Sequence, residues 1–432
     1  MRRVLMISPH FPPDSSAGTH RVRLLAPHLA EYGWQPTVLT VATQDYEGRL
    51  DAALAALVPS SLHVVRAPAV SPWLTRMIGL GDLGLRALPG MRRAAWRLLE
   101  AERFDALFIT IYPTYPAVLG PMIRHRFGLP FVFDYQDPWV GSWGRDVGGG
   151  PAGAVDLKSR STRMIAERIE PRVLRAADGV TAVSARTYED AIARIGAAPR
   201  CVAEIPIGWD AGDIDALSHR NGTRRLIPDD GRINFCYTGT LLPLGVDTLR
   251  AVLQAARRVL DAQPALRDRL RFYFYGTSNQ TIGGEPRVLP HARDLGVADI
   301  VIEHPARLDY IDALAVLREA SALLLMGSSE RHYTASKIFA ALLADRPTLA
   351  VYHRESSVVD IFRSAAPAAA GYAVTYDDAC TVDGHIDEIT SSMLSTIAAT
   401  RAPVTMNRDA LRPWSAPALA GRLARVFDTV AA

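Results

Sequence analysis

The chain has 432 residues, 49% hydrophobic and 22% charged, a mixture typical of a globular protein large enough to form more than one domain. Its 48 basic and 45 acidic residues give a formal net charge of +3, which argues against a nucleic-acid-binding protein. Its three cysteines fit neither a zinc site nor a disulfide framework, and no apolar run is long enough to cross a membrane, so we expect a cytoplasmic protein.

Short apolar runs alternate with amphipathic segments along the first 200 residues. The runs predict strands, and the segments carry apolar residues at helical spacing and predict helices. The predicted strands are 4–7, 36–41, 62–65, 106–110, 131–133 and 179–183, and the predicted helices are 18–32, 91–103, 114–126, 155–176 and 185–195. This alternation indicates a parallel sheet with helices on both faces.

The alternation lapses over residues 206–232, which are rich in Gly, Pro and Asp, and then begins again. The later strands are predicted at 233–237, 271–275, 300–302, 322–325 and 348–351, and the later helices at 246–261, 309–319, 335–344, 385–398 and 412–427. The sequence therefore predicts an α/β fold of two doubly wound Rossmann-like domains. We expect them to face a central cleft, with ligands at the carboxyl ends of the strands.

Two loops of the first half follow predicted strands and carry polar residues. Gly18 and Thr19 open a helix whose free amides could hold an anion, although the same residues fit an ordinary capped turn. In the segment Asp-Tyr-Gln-Asp-Pro-Trp, Asp134 or Asp137 could orient a substrate hydroxyl or take its proton. The alternative is an Asx turn made rigid by Pro138.

Residues 66–99 combine tryptophan, leucine and methionine with several arginines. A basic amphipathic stretch of this kind could lie on an anionic membrane surface. The alternative, which we favour, is a pair of helices packed on the first sheet with solvated arginines.

In the second half, Gly239 and Gly276 each follow a predicted strand and would let a ligand approach the backbone. Ser336 and Lys337 lie in the first turn of a later helix. A cation there opposes the helix macrodipole unless a bound anion bridges the helix amides and the ammonium group. The chain has only two lysines, and the other, Lys158, lies in a helix of mixed charge. We therefore expect a diphosphate at Lys337; the alternative is a solvated lysine.

Three motifs resemble bacterial glycosyltransferases of the GT-B fold, family 4 type. They are the interdomain segment 206–210, the Asp-Pro-Trp segment 134–139 and the Ser-Lys segment 336–347. The resemblance implies an acceptor-binding domain over 1–207 and a nucleotide-sugar-binding domain over 208–405. It also implies a C-terminal segment, 406–432, whose helix crosses back to the first domain.

The chain departs from the family pattern at its charged positions. His332 and Ala340 stand where the family has two glutamates, and Thr240 and Leu244 stand where it has an arginine and a lysine. By the resemblance, Glu330 is the carboxylate that could replace the first glutamate. Charge neutralisation of the diphosphate would then depend on Lys337, with Arg331 or Arg307.

The resemblance and the motifs together predict sugar transfer from a UDP, GDP or dTDP sugar to an acceptor hydroxyl, with retention, as in retaining hexosyltransferases. Lys337 would stabilise the leaving group, Asp137 would orient the acceptor, and Glu330 would contact the sugar. The full set of predicted donor-binding residues is Gly18, Thr19, Gly239, Thr240, Gly276, Arg307, Arg331, His332, Ser336 and Lys337.

The acceptor predicted for this transfer is a small molecule or a lipid-linked glycan. No Asp-x-Asp metal clamp stands out, so we expect no obligatory metal or other cofactor. Two alternatives stay open: a degenerate GT-B protein that binds without turnover, and a sugar-nucleotide epimerase or pseudo-glycosyltransferase on the same fold.

Overall fold

The computed structural model describes residues 1–76, 81–140, 157–218, 220, 225–278, 280, 283–328, 336–368 and 371–432. These residues form two compact units. Unit 1 comprises Met1–Ile207 and Ala416–Ala432, and unit 2 comprises Gly208–Ser415.

Unit 1 is built on a sheet of seven parallel strands. The strands are β1 (Arg2–Ile7), β2 (Trp34–Val41), β3 (His63–Ala67), β4 (Ala106–Ile111), β5 (Phe131–Tyr135), β6 (Gly179–Ala182) and β7 (Cys201–Glu204), in the order β3-β2-β1-β4-β5-β6-β7. The helices are α1 (Thr19–Leu25), α2 (Ala52–Ala56), α3 (Pro72–Arg76), α4 (Leu83–Ala101), α5 (Leu119–Phe127), α6 (Leu157–Ala176) and α7 (Ala185–Ile195). Every residue of β4 and β5 is buried, as expected for parallel strands that are covered on both faces.

Unit 2 is built on a sheet of six parallel strands. They are β8 (Ile233–Thr238), β9 (Leu270–Tyr275), β10 (Val301–His304), β11 (Ala322–Met326), β12 (Thr348–His353) and β13 (Gly371–Tyr376), in the order β10-β9-β8-β11-β12-β13. The helices are α8 (Ala211–Ser218), α9 (Val246–Ala262), α10 (Leu289–Asp294), α11 (Tyr310–Glu319), α12 (Lys337–Leu342), α13 (Ser357–Ala365), α14 (Ile386–Ala399) and α15 (Arg408–Leu411). The long apolar face of α9 fills one side of this sheet.

The last helix, α16 (Ala416–Val430), returns to unit 1. Its Phe427 packs edge-on against Trp34 and Phe108, with ring centroids 5.2 and 6.0 Å apart. The returning segment begins at Ala416 rather than at residue 406, because Met406 and Leu411 are buried in the core of unit 2. The predicted class, two doubly wound α/β units with a returning C-terminal helix, is confirmed.

Several element bounds differ from the predicted ones for local reasons. The helix predicted over 18–32 ends as α1 at Leu25 and continues as a 3₁₀ helix, Ala26–Tyr32, because Pro27 has no amide hydrogen to donate. The predictions missed β7 and β13, which are half-buried edge strands with weak apolar signals. The helix predicted over 335–344 is shorter: α12 begins at Lys337, and residue 335 lies outside the described residues.

Each sheet has one point at which the strand order reverses. In unit 1 it lies between β1 and β4, and in unit 2 between β8 and β11. Neighbouring connections leave in opposite directions there and open a crevice at the carboxyl ends of the strands, where ligands bind in such sheets.

Candidate functional site

Lys337 lies at the switch point of unit 2. Its Nζ donates a hydrogen bond of 2.8 Å to the Tyr237 hydroxyl and lies 4.0 Å from the centroid of that ring. Burial raises the pKa of Tyr237 well above its ordinary value, so the phenol stays neutral and offers both an oxygen and a ring face to the ammonium group. The side chain is thereby held at the carboxyl end of β8, although Lys337 follows β11 in the chain.

Of the two predicted glycine turns, Gly239 lies beside this lysine, and a Cβ at Gly276 would lie 3.9 Å from the Gly239 nitrogen. Gly239 has a φ of +127°, and a Cβ there would lie 3.2 Å from the Lys337 Nζ. Gly276 has a φ of +73°, and a Cβ there would lie 3.7 Å from the Arg307 Cα. The structure therefore brings four of the predicted donor residues together, and the carbonyl of Thr240 joins them by accepting from the Tyr237 hydroxyl at 3.3 Å.

The structure does not bring the other residues predicted to form the site in unit 2 into this group. Ser336 precedes α12 and is exposed, but its side chain makes no cap hydrogen bond. Because α12 has only six residues, the predicted contribution of its amides and macrodipole to an anion site is small. Ala340 packs against the apolar core of unit 2. Three further predicted residues lie outside the described residues: Glu330, Arg331 and His332.

Gly18 and Thr19, predicted to hold the donor, belong to unit 1 and have local packing roles. The Thr19 hydroxyl is buried and donates to the backbone oxygen and to a carboxylate oxygen of Asp14, both at 3.0 Å. A Cβ at Gly18 would lie 3.2 Å from the Tyr112 carbonyl oxygen and 3.5 Å from the His10 ring. The Thr19 hydroxyl therefore already has hydrogen-bond partners within unit 1, and close packing explains why residue 18 is a glycine.

The two aspartates of the Asp-Pro-Trp segment have opposite environments. Asp134 is fully buried in β5, where both of its oxygens accept from Arg21 and where Thr110 also donates to it. Asp134 is therefore a structural anchor, and of the two aspartates only Asp137 is still a candidate for contact with a substrate. Asp137 is an exposed residue in the loop after β5, but desolvation of its carboxyl group by nearby protein atoms raises the pKa of that group.

One constellation in unit 1 was missed by the sequence predictions. His10 lies in the loop after β1, and its Nδ1 is 2.6 Å from a carboxylate oxygen of Asp14. Its ring stacks at 5.9 Å on Tyr112, which follows β4. Burial and then the charges of Asp82 and Asp137 raise the pKa of Tyr112, so Asp137 lies within electrostatic reach of this group. The sequence signal that could have revealed this group is the spacing of His10 and Asp14, four residues apart in a loop that follows a strand.

No group of three His, Cys, Asp or Glu side chains that could hold a metal occurs among the residues that the structure describes. Within that same part of the chain, no helix is long and apolar enough to span a membrane.

Comparison with known proteins agrees with these features. Residues 17–208 match the family model described as a glycosyl transferase 4-like domain. The chain is 31% identical over 304 residues to a D-inositol 3-phosphate glycosyltransferase of Geodermatophilus obscurus, an alignment that covers 69% of this chain. It spans 64% of that relative's length. A second D-inositol 3-phosphate glycosyltransferase, from Kribbella flavida, is 26% identical over 330 residues and 73% of each chain.

Two solved structures share the fold over the whole chain. The α,α-trehalose 6-phosphate synthase of Burkholderia multivorans has a TM-score of 0.62 at 13% identity, over 100% of this chain and 99% of its own. Anabaena HepE in complex with UDP and glucose has a TM-score of 0.54 at 14% identity, over 100% and 96%.

Proposed function

Because this chain belongs to the GT-B glycosyltransferases of the family 4 type, we propose that it transfers a hexosyl unit from a nucleoside-diphosphate sugar to an acceptor hydroxyl, with retention. The observation that carries this proposal is the ammonium group of Lys337 beside the positive-φ glycine Gly239 at the switch point of unit 2, where a second positive-φ glycine, Gly276, adjoins Gly239. A cation next to backbone without side chains suits a diphosphate.

The proposed reaction develops negative charge on the leaving diphosphate. The bond between the anomeric carbon and the diphosphate breaks, and the bond to the acceptor oxygen forms on the same face of the sugar. The hydroxyl proton passes to the leaving diphosphate, so the step needs no protein nucleophile. Lys337 stabilises the developing charge, which is the role that preorganised cations have in electrostatic catalysis. Ser336, Arg307 and Arg331 contribute further phosphate contacts.

The two units divide the substrates in this proposal. Residues 208–405 bind the donor, and Glu330 and His332 contact its sugar. Residues 1–207 bind the acceptor, which Asp137 orients. Residues 406–432 include the returning helix. HepE was crystallised with UDP and glucose, which favours a uridine donor. The names of the curated relatives favour a phosphorylated polyol as acceptor, and a lipid-linked glycan is the alternative.

A thermal-shift series with UDP, GDP, dTDP and their sugars tests donor binding, and mass spectrometry with an acceptor panel tests transfer. The proposal expects stabilisation by one nucleotide and a product heavier by one hexosyl unit, whose anomeric configuration NMR then determines. Binding without turnover indicates a degenerate protein, and a product of unchanged mass indicates an epimerase.

We further propose a peripheral contact with the cytoplasmic face of a membrane through the segment 66–99. Trp73 and Leu74 are 70% and 53% exposed, and Arg92 and Arg93 are exposed on α4. Hydrogen bonds between Val70 and Arg86 join the start of this segment to its helix α4, whose buried face packs on the first sheet. Co-sedimentation with vesicles of anionic rather than zwitterionic lipid tests the contact, with a Trp73→Ser, Leu74→Ser variant expected to stay in solution.

A further inference from the structure

His10 is held in one orientation by three separate contacts. Its ring stacks on two tyrosine rings, with centroids 6.3 Å from Tyr46 and 5.9 Å from Tyr112 and interplanar angles of 16° and 14°. Its Nδ1 lies 2.6 Å from the Asp14 carboxylate. Tyr46 is itself fixed, since its hydroxyl donates to the Pro9 carbonyl at 2.9 Å. A ring fixed to this degree presents its remaining nitrogen at a defined position.

Asp14 determines which nitrogen of His10 carries the proton. Burial alone would raise the pKa of Asp14, but hydrogen bonds from His10, Ser16 and Thr19 lower it on balance. The ionised carboxylate only accepts hydrogen bonds, so the proton of a neutral His10 lies on Nδ1. The Nε2 atom is then a hydrogen-bond acceptor. Among the residues that the structure describes, none makes a hydrogen bond to Nε2, and the side chain keeps 12% of its surface exposed.

The position of this pair indicates a ligand rather than a fold contact. His10 follows β1 and Tyr112 follows β4, the two strands that flank the switch point of unit 1. Asp137, at the end of the neighbouring β5, acts electrostatically on Tyr112. The edge at which ligands bind in such a sheet thus offers a fixed acceptor nitrogen, an exposed phenol and a carboxylate, all groups that hydrogen-bond hydroxyls.

We propose that His10 is an acceptor-binding residue, whose Nε2 accepts a hydrogen bond from a hydroxyl beside the one that is glycosylated. Asp14 is its positioning residue, which holds the ring and its tautomer. This inference rests on the proposed function and deepens it: the acceptor is a polyol or sugar with adjacent hydroxyls. The reacting hydroxyl still gives its proton to the leaving diphosphate.

Steady-state kinetics of His10→Ala test this assignment, with UDP-glucose as donor and a panel of inositol phosphates and hexose phosphates as acceptors. We expect the acceptor KM to rise about fivefold to tenfold, the loss of one hydrogen bond, with kcat and donor hydrolysis by water unchanged. His10→Gln, whose amide oxygen also accepts, restores part of the affinity. Asp14→Ala removes the oxygen that accepts from Nδ1, so the ring loses its fixed orientation and tautomer, and the acceptor KM rises as well. His28→Ala removes a comparable pair with Glu31 (2.9 Å) and changes neither constant.

The outcomes separate the two proposals. If the wild-type protein transfers sugar and His10→Ala keeps the wild-type acceptor KM, the role of His10 is wrong and the function stands. If donor hydrolysis falls together with transfer, the pair supports the fold or the donor, and the inference is again wrong. If the wild-type protein transfers nothing to any acceptor, both proposals fail. The ¹⁵N shifts of the His10 ring, assigned by comparison with His10→Gln, add a readout without turnover: an Nε2–H tautomer in the wild-type protein overturns the inference.

Discussion

The switch points of the two units differ in where their charged groups lie, which is beneath the edge of the sheet in unit 1 and at the edge in unit 2. In unit 1 a charged pair lies beneath the edge, since Arg21 and Asp134 are 1% and 0% exposed, while His10 and Tyr112 lie at the edge itself. In unit 2 a buried phenol, Tyr237, lies beneath the edge and the cation of Lys337 lies on top of it. The same topology therefore carries two different surfaces.

This difference suits two substrates of different chemistry. A buried ion pair fixes strand ends without presenting charge to a ligand, and hydrogen-bonding groups above it suit a hydroxyl-bearing molecule. An ammonium group held against a neutral ring, beside a glycine turn, suits a phosphate-bearing molecule.

The largest expected effect is on the stability of unit 1. Asp134→Asn leaves the Arg21 guanidinium buried without its countercharge, and Thr110 loses the charged acceptor of its 2.7 Å hydrogen bond. We expect the free energy of unfolding to fall by about 3–5 kcal/mol in urea unfolding followed by circular dichroism. Glu100→Gln breaks an ion pair with Arg126 in which both side chains are 55% exposed, and should cost about 1 kcal/mol or less. Equal losses in the two variants would show that the buried pair is not an anchor.

The next effect is on turnover through unit 2. Lys337→Ala removes the cation that we assign to the leaving diphosphate, and kcat/KM for sugar transfer should fall about 100- to 1,000-fold. Lys337→Arg keeps the charge but not the compact ammonium that fits the Tyr237 hydroxyl, so we expect an intermediate rate. A Lys337→Ala variant with the wild-type rate of product formation would contradict the assignment.

The sequence predicted the parts of the unit 2 site but not their arrangement. Gly239 and Lys337 stood out separately, one as a strand-end turn and the other as a rare cation. Their contact depends on the strand order β8-β11, which joins residues 100 apart in the chain, as the hydrogen bond between Lys337 and Tyr237 shows. Strand order is a property of the whole sheet, so no local pattern contains it.

In unit 1 the sequence could not separate residues of the same type. Asp134 and Asp137 occur in one motif, and only the pleat of β5 and the buried Arg21 of α1 decide that the first is structural. The role of His10 was missed because its tyrosine neighbours come from β2 and β4 loops that are distant in sequence. The alternation that predicts strands carries no information on such contacts.

A third prediction concerns Asp137, which we expect to behave as a functional rather than a structural carboxylate. Its pKa is raised in the folded protein, so the folded state binds the proton more tightly than the unfolded state. The ionised group therefore disfavours folding, and this cost develops as the pH rises above the ordinary value of 3.8. Asp137→Asn should lower kcat/KM about tenfold while leaving the protein at least as stable at pH 7, with a smaller advantage near pH 4.

The control for this prediction is Asp190→Asn on α7, a carboxylate that is 74% exposed and 3.8 Å from Arg186. It should change neither transfer nor the pH dependence of urea unfolding. If Asp137→Asn destabilises the protein at pH 7, Asp137 is a structural group like Asp134. The edge of the unit 1 sheet would then have no carboxylate assigned to substrate binding.

The smallest expected effect separates a ligand role from backbone strain at Gly239. Gly239→Ala and Gly231→Ala both force a side chain onto a positive φ, +127° and +76°, so both should lower stability by about 1–2 kcal/mol. Only at Gly239 does the new Cβ approach the Lys337 Nζ, at 3.2 Å, whereas nothing lies within 4 Å of a Cβ at Gly231. We therefore expect the Kd for the nucleotide sugar, measured by calorimetry, to rise about fivefold in Gly239→Ala and to stay unchanged in Gly231→Ala. Equal weakening in both variants would mean that the strained backbone, and not the open space beside the lysine, governs donor binding in unit 2.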